Sequence, residues 1–241
     1  MSKTMRSLGA VTAAVALAGL GAPAAHASTS GKMDPNIVGG TTASNPAYVQ
    51  LIFSDGTGTY GCTGEAIGAQ WVLTAKHCIS GVQWMDVYYS NSTTNRGPAI
   101  AADRVYGSPY GDVALVHLSA AKTLASYAKM ANSYTPVPGD TGTIYGYGLR
   151  ANSQPSSGLY KATVNVLGSS TDAYGGSAIH VKGVDGASNH GDSGGPLVIN
   201  GLIVGVCSTG DTADPGANIN ASSNYANLTP SRSWIKTTSG I

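Results

Sequence analysis

A glycine-rich heptad in the last quarter of the chain holds the residue best suited to nucleophilic chemistry. It reads Gly191-Asp192-Ser193-Gly194-Gly195-Pro196-Leu197. A nucleophilic serine needs a tight turn that exposes its Oγ and aims backbone N–H groups at one point. Glycines permit the positive φ angles and the close approach that such a turn requires. For a Gly-Ser-Gly cluster taken alone, an ordinary glycine-rich hairpin between two strands is the alternative.

Four further blocks precede the heptad, and they decide between these two interpretations. The blocks are Ile37-Val38-Gly39-Gly40, Leu73-Thr74-Ala75-Lys76-His77-Cys78, Asp112-Val113-Ala114-Leu115 and Gly146-Tyr147-Gly148. In content and order they resemble the chymotrypsin/trypsin family of serine endopeptidases, in a secreted, bacterial type. They are similar to its activated N-terminus, its histidine block, its aspartate block and the segment that opens its second barrel. The resemblance extends from Ile37 to the C-terminus.

The resemblance assigns a catalytic triad to His77, Asp112 and Ser193. Ser193 is expected to attack an acyl carbon, and His77 to take its proton and return it to the leaving group. Asp112 is expected to orient the imidazole and to stabilise its charged form. The backbone N–H groups of Gly191 and Ser193 are expected to bind the oxyanion, each contributing about 3–4 kcal/mol.

Other histidines and acids fit these roles less well. His117 lies in an apolar strand run and His180 resembles it, so both are expected to be packed or surface strand residues. Neither Asp103 nor Asp86 precedes the Val-Ala-Leu run that buries the aspartate in the family. Asp112 is therefore favoured as the triad acid.

By resemblance, Ile37 and Asp192 are expected to form an activation ion pair. In the family the acid before the serine binds the α-amino group that is released by cleavage, and this pair shapes the oxyanion hole and the pocket. Here Asn36 precedes Ile37, where a Lys or Arg would permit tryptic self-activation. A different activating protease is therefore expected.

The three cysteines predict one disulfide and one leftover thiol, as is usual for an exported protein. No Cys/His spacing resembles a zinc site, and neither a metal nor a cofactor is expected. The resemblance pairs Cys62 with Cys78 beside the catalytic histidine, which would contribute roughly 3 kcal/mol. It leaves Cys207 as a buried thiol in the pocket wall.

The substrate pocket is predicted from the resemblance, by counting back from Ser193. Its base is Ala187, and Ser223 narrows it. One wall extends from Ser188 to His190, and the other consists of Ser208, Thr209 and Gly210. Trypsin-like members have an aspartate at the base, which pairs with substrate Lys or Arg. Without that acid a buried substrate cation costs several kcal/mol, so small or medium apolar residues are expected before the scissile bond.

An alternative specificity, a preference for Lys or Arg, depends on two acids in the loop after Gly210. If Asp211 or Asp214 folds into the pocket, the preference for Lys or Arg is restored.

Short β-type runs separated by turn residues predict the architecture. The clearest runs are 48–53, 66–74, 84–89, 112–117, 143–147, 160–166, 178–181, 196–199 and 202–206. Such runs favour an antiparallel barrel or sandwich. The resemblance makes the fold all-β, with two packed six-stranded antiparallel Greek-key barrels of chymotrypsin-like type. Thr229 as N-cap and Pro230 after it predict a short C-terminal helix, and a weaker helical stretch lies near 120–130.

The domain organisation predicted along the chain is as follows. Residues 1–27 are a signal peptide, with Lys3 and Arg6 before an apolar run and Ala25-His26-Ala27 as the cleavage pattern. Residues 28–36 are a pro-segment, with a flexible tail as the alternative. Residues 37–241 are the protease domain. It comprises barrel 1 (about 37–131), a connector (about 132–142), barrel 2 (about 143–228) and the helix (about 229–238).

Charge excludes two classes of partner. The chain carries 13 basic and 12 acidic residues; without Lys3, Arg6, Lys32 and Asp34 the product from Ile37 onward has 10 and 11. A near-neutral protein lacks the basic face that nucleic acids or anionic membranes require.

The sequence therefore predicts a secreted, extracellular serine endopeptidase, a monomeric hydrolase made as a zymogen. Its expected partners are protein or peptide substrates, an activating protease and protein protease inhibitors. It is expected to cleave after apolar residues through an acyl-enzyme intermediate. Three alternatives remain: cleavage after Lys or Arg, an acyl hydrolase that prefers esters, and a catalytically weak binding homologue.

Overall fold

The structure is a computed structural model that describes residues 37–241. The predicted signal peptide and pro-segment lie outside the described residues. None of the helices between Ile37 and Ile241 is long and apolar enough to cross a membrane. The fold is all-β, with two six-stranded antiparallel barrels and a short C-terminal helix, as predicted.

The chain begins with two very short strands, β1 (Val38–Gly39) and β2 (Thr41–Thr42). The next six strands close the first barrel in the order β3-β4-β5-β8-β7-β6. They are β3 (Tyr48–Ser54), β4 (Thr59–Gly68), β5 (Trp71–Thr74), β6 (Trp84–Tyr88), β7 (Ala99–Gly107) and β8 (Ala114–Leu118).

The second barrel follows an irregular connector. Its region contains β9 (Thr141–Gly146), β10 (Tyr160–Thr171), β11 (Ser177–Gly183), β12 (Gly186–Ala187), β13 (Pro196–Ile199), β14 (Leu202–Gly210) and β15 (Ser222–Asn227). Six of them pair in the order β11-β15-β14-β13-β9-β10, and β10 pairs with β11 to close the ring.

The two N-terminal strands join the second barrel, although the predicted boundaries assigned residues from 37 to the first. Strand β2 pairs with β10, and β1 pairs with β12 so that Val38 lies opposite Ala187. Alignment by sequence order could not show this, because the pairing links residues about 150 positions apart. The start of the domain is thereby tied directly to the predicted base of the pocket.

Alternating side chains divide the apolar core into three layers. The first barrel is filled by residues that include Leu51, Val72 and Val116, and the second by residues that include Ile179, Val181 and Leu197. A third layer lies between the barrels and includes Tyr48, Leu73, Leu115, Val206 and Leu228. The functional turns emerge along the line where the barrels meet.

The helical predictions are right at the C-terminus and wrong in the middle. Helix α1 (Arg232–Ser239) follows a 3₁₀ turn (Thr229–Ser231), so the predicted N-cap lies one turn before the α-helix. Residues 120–130 contain no helix. Instead Lys122 and Ala128 donate backbone N–H bonds to the carbonyls of Ala69 and Ala66. These contacts with the end of β4 and its following turn override a weak local helical preference.

Candidate active site

Three separate elements bring His77, Asp112 and Ser193 together. His77 lies in a 3₁₀ turn (Lys76–Ile79) after β5, Asp112 lies just before β8, and Ser193 lies in the turn before β13. His77 Nε2 is 2.7 Å from Ser193 Oγ, and His77 Nδ1 is 2.7 Å from Asp112 Oδ2. The three side chains therefore form one continuous hydrogen-bonded series across the two barrels.

Asp112 is completely buried but well supplied with donors. Its Oδ1 accepts the backbone N–H of His77 at 2.8 Å, and its Oδ2 accepts the hydroxyl of Ser208 at 2.6 Å as well as the imidazole. Burial alone would raise the pKa of Asp112. The hydrogen bond and charge of His77, followed by the Ser208 hydroxyl, outweigh burial and hold that pKa below its ordinary value. The carboxylate is therefore ionised and fixed at neutral pH.

A disulfide holds the histidine turn against the first barrel. Cys78, next to His77, is bonded to Cys62 on β4, which confirms the predicted pair. Cys62, Cys78 and His77 also form the group of closely placed metal-ligand types found in residues 37–241. Because both sulfurs are used in the disulfide, this group cannot hold a metal. Cys207 is free and buried, and burial followed by the charge of Asp192 raises the pKa of its thiol to about 12.

The turn that carries Ser193 requires glycine at two positions. Gly191 has a φ of +100° and Gly194 a φ of +79°. A Cβ at Gly194 would lie only 2.5 Å from the carbonyl oxygen of Thr63 and 2.9 Å from the nitrogen of Ala75. The positive φ angles and these contacts give the physical reason for Gly191 and Gly194. The turn is not an ordinary hairpin, because β12 pairs with β1 whereas β13 pairs with β9 and β14.

The donors predicted for the oxyanion have no internal acceptor. Within residues 37–241, neither the N–H of Gly191 nor that of Ser193 donates to a protein atom. The carbonyl of Gly191 is instead directed to the first barrel, where it accepts the hydroxyl of Thr63 at 2.8 Å. Both N–H groups therefore remain available to a substrate oxygen.

Thr63 joins the serine turn to the first barrel, a role that the sequence analysis missed. Besides the bond to Gly191, its N–H donates to the carbonyl of Ser193 at 2.9 Å, and its hydroxyl accepts the N–H of Tyr147 at 3.1 Å. A threonine beside a cysteine carries no motif, so the sequence offered no signal for it.

Ile37 and Asp192, the predicted ion pair, are both completely or almost completely buried in the second barrel. Asp192 accepts backbone N–H bonds from Asn189 at 3.0 Å and Gly148 at 3.4 Å. Burial nevertheless raises its pKa well above the ordinary value, with these bonds and the charge of Arg150 opposing the shift. A buried acid of this kind is stabilised by an added cation.

Arg150 connects the N-terminal segment to Asp192 and was not singled out from the sequence. Its guanidinium donates to the carbonyl of Ile37 at 3.1 Å and to that of Gly39, and it lies 3.8 Å from the centre of the Tyr160 ring. It also supplies the positive charge that acts on Asp192.

The residues predicted for the pocket lie on β12 and the segment that follows it, on β14 and on β15. Ala187, Ser188, Ser208 and Ser223 are buried, whereas His190 and Thr209 are half-buried and Gly210 is exposed. Ser188 lies against Cys207 and Tyr225. Apart from His190, these residues have small, uncharged side chains, and Ser208 also donates to Asp112.

The two acids of the rival specificity are engaged elsewhere. Asp211 accepts hydrogen bonds from Asn224 at 3.0 Å and pairs with His180 at 2.9 Å. Along β15, Asn224 alternates with the buried Ser223 and Tyr225, so it faces the opposite side of the sheet. Asp214 is exposed and accepts the N–H of Gly216 within its own loop.

The remaining candidates lie away from the triad. His117 pairs with Asp103 at 2.6 Å on the outside of the first barrel and packs edge-on against Trp71. Asp86 lies on β6 opposite Ile52. All three lie on strands of the first barrel, as the sequence predicted for His117.

Comparison with known proteins identifies the family to which the chain is similar. The family model named Trypsin matches residues 37–235. Trypsin alpha of Drosophila erecta is 29% identical over 231 residues, covering 86% of this chain and 89% of that protein. Trypsin alpha-4 of Lucilia cuprina is 29% identical over 227 residues, covering 85% and 88%. These relatives come from insects and give no support to the predicted bacterial type.

Among solved structures, the chain is similar to neuropsin, a serine protease expressed in the limbic system of mouse brain. The TM-score is 0.66 at 24% identity, over 83% of this chain and 98% of neuropsin. This likeness bears on the fold, which the two proteins share.

Proposed function

The chain belongs to the trypsin family of serine endopeptidases, and from that premise we propose that it hydrolyses peptide bonds with Ser193 as nucleophile. The observation that carries the proposal is the hydrogen-bonded series Ser193–His77–Asp112, with 2.7 Å at each link. An uninterrupted series of this geometry is what acyl transfer by a serine requires.

In the first half of the reaction, Ser193 Oγ attacks the carbonyl carbon while His77 Nε2 takes the hydroxyl proton. The developing oxyanion accepts the N–H groups of Gly191 and Ser193. His77 then gives the proton to the leaving amine, and an acyl-enzyme remains. In the second half a water molecule repeats these steps and frees Ser193. Asp112 stays ionised throughout, in keeping with its lowered pKa.

We further propose that cleavage before Ile37 activates the enzyme. In the uncut chain the nitrogen of Ile37 is a peptide nitrogen, so it carries no charge. Cleavage supplies an α-amino group with an ordinary pKa of about 8, and pairing with Asp192 raises it in the folded state. The resulting stabilisation is fully present below the ordinary pKa and is lost as pH rises through the raised one. The β1–β12 pairing would carry this effect to Ala187.

For specificity, we propose cleavage after small or medium apolar residues. Ala187 provides no charge at the pocket base, and the buried walls are serines. Asp211, held by His180 and Asn224 on the outer face of the sheet, would have to break both contacts to enter the pocket. While Asp211 stays outside the pocket, a substrate Lys or Arg would be buried there without an acidic partner.

A peptide series that varies only the residue before the scissile bond tests this specificity. Ala, Val, Leu and Phe peptides are compared with Lys and Arg peptides, using wild type, Asp211→Asn and Asp214→Asn after activation. Apolar peptides should have the higher kcat/KM in all three enzymes. A preference for Lys or Arg that disappears in one variant would show that its aspartate serves the pocket.

The alternative activities are separated by two simpler measurements. An acylating reagent directed at active-site serines distinguishes an enzyme from a catalytically weak binding protein. The ratio of amide to ester turnover distinguishes a peptidase from an ester-preferring hydrolase. We also propose export as a monomeric zymogen that meets protein substrates, an activating protease and protein inhibitors outside the cell. N-terminal sequencing of the material outside the cell tests this, with Ser28 or Ile37 expected first.

A further inference from the structure

Asp172, at the turn between β10 and β11, links the second barrel to the triad aspartate. Its side chain is almost completely buried. Its Oδ2 accepts the backbone N–H of Asp112 at 2.8 Å, and its Oδ1 accepts the N–H groups of Tyr174 and Gly176, both at 2.9 Å. Both carboxyl oxygens of Asp172 are therefore held by backbone donors, one from the first barrel and two from its own turn.

Two glycines make this close approach possible. Gly111, next to Asp112, has a φ of +137°, and a Cβ there would collide with Asp172 Oδ2. A Cβ at Gly176 would lie 2.6 Å from both Asp172 Oδ2 and the Cα of Gly111. The carboxylate therefore sits in a space that fits it closely from both barrels.

The same turn reaches Asp112 by a second route. The backbone N–H of Ala173 donates to Ser208 Oγ at 3.0 Å, and Ser208 donates its hydroxyl proton to Asp112 Oδ2 at 2.6 Å. The turn thus contacts the triad aspartate at its backbone through Asp172 and at its side chain through Ser208.

Charged and titratable groups surround this turn. Asp112 and, beyond it, His77 face it from the first barrel. Lys76 places its Nζ 4.8 Å from the centre of the Tyr174 ring and donates to the carbonyl of Ser108 at 3.0 Å. Tyr110 approaches Gly176 with its backbone carbonyl, and its side chain is exposed. Asp172 is therefore a second negative charge behind the His77–Asp112 pair.

We infer that Asp172 is a positioning residue for the reaction: it fixes the backbone of Asp112 from the second barrel and adds negative charge behind the catalytic histidine. The inference rests on the triad of the proposed function. If it is right, Asp172 affects the chemical step and its pH dependence, and not merely the stability of the β10–β11 turn.

Asp172→Asn separates these two roles with almost no change in size. An amide has one acceptor oxygen, so its NH₂ group must face either the N–H of Asp112 or those of Tyr174 and Gly176. The variant thus breaks one set of contacts and removes the charge. Loss of a nearby negative charge disfavours the imidazolium, so the acid limb of the kcat/KM profile should move to lower pH.

Asp55→Asn is the matched control. Asp55 accepts the N–H of Thr57, two residues further on, at 2.8 Å, just as Asp172 accepts that of Tyr174. It lies half-buried in the β3–β4 turn, and its side chain accepts hydrogen bonds from Thr57 and not from a triad residue. A change seen in both variants would therefore reflect general effects of removing a turn carboxylate.

The experiment measures kcat and KM per active site titrated with an acylating reagent, across pH, for activated wild type and both variants. We expect Asp172→Asn to lose about tenfold in kcat with little change in KM, with a lower-pH acid limb, and Asp55→Asn to match wild type. If Asp172→Asn does not fold, Asp172→Ser keeps a short acceptor for the turn and still removes the charge.

Three outcomes overturn the inference: a kcat per titrated site within twofold of wild type, an unmoved acid limb, or equal effects in Asp55→Asn. A wild-type protein that is not acylated at all contradicts the proposed function instead, so the two failures are distinguishable.

Discussion

Replacing Glu65 with leucine is expected to stabilise the protein. Glu65 lies on β4 opposite Tyr48 and Leu73, on the face that packs between the barrels. It is completely buried, and neither carboxyl oxygen has a hydrogen-bond partner in residues 37–241. Burial raises the pKa of Glu65 well above its ordinary value, so the neutral acid is the form that the fold accepts.

The expected gain follows from the cost of an unpartnered buried polar group. Mutational data place that cost at about 1–3 kcal/mol for the neutral form, and leucine has a similar length without a polar atom. For a domain of this size, each kcal/mol shifts Tm by about 2–4 °C, so Glu65→Leu should raise Tm by about 2–12 °C.

The gain should also depend on pH. Because the pKa of Glu65 is higher in the folded than in the unfolded protein, the contribution of Glu65 to stability is most favourable below the unfolded value and is lost as pH rises through the folded one. The advantage of Glu65→Leu should therefore grow over that window. Glu65→Gln is the control, because it keeps the polar group but cannot ionise. It should remove the pH-dependent part with little gain in acid.

The assay is thermal unfolding from pH 4 to pH 8, in a Ser193→Ala background that prevents self-digestion. The reasoning is refuted if Glu65→Leu is no more stable than the background at pH 7. It is also refuted if the difference between the two proteins stays constant across the pH range.

Three further perturbations test contacts around the site. Ser208→Ala removes the hydroxyl that Asp112 accepts at 2.6 Å and should lower kcat/KM by about tenfold or more, with unchanged Tm arguing for a local effect. Arg150→Met keeps a long side chain beside Tyr160 but removes the positive charge and the donors to Ile37 and Gly39. Active-site titration should therefore show a smaller active fraction after cleavage, and a full fraction would contradict this. The double variant Cys62→Ser, Cys78→Ser should have a free energy of unfolding lower by roughly 3 kcal/mol. Denaturant titration checks this, and an unchanged midpoint would show that the disulfide hardly constrains the unfolded chain.

The all-β class could be predicted because β-type runs and turn residues are local signals, whereas the two-barrel arrangement and the choice of His77, Asp112 and Ser193 came from the family resemblance of their motifs. The heptad around Ser193 needs glycines that only a strained turn explains, and turn residues separate the short strands. The pairing of β1 with β12 could not be predicted by local reasoning, since two residues per strand carry no periodicity. The predicted run 66–74 is two strands in the structure, because the chain makes a tight turn at Gln70. This turn does not interrupt the hydrophobic pattern of the run, so the pattern did not reveal it.

The supporting contacts of the site were invisible in the sequence for a different reason. Thr63, Arg150 and Asp172 each act through hydrogen bonds with backbone atoms that are distant in sequence. Backbone acceptors and donors leave no signature in residue type, so only the assembled fold reveals them. Glu65 is similar, because an acid between apolar neighbours in a strand predicts an exposed side chain rather than a buried one.

The central claim is that Ser193, activated by His77 and Asp112, is the nucleophile of the protein cut before Ile37. The most direct measurement is intact-mass and peptide-mass spectrometry after a brief reaction with a fluorophosphonate. We expect one adduct per molecule, located on Ser193, in the cut wild type, and none in Ser193→Ala or in the uncut precursor under the same conditions. An adduct on another residue, or a cut protein that remains unmodified, would contradict the account.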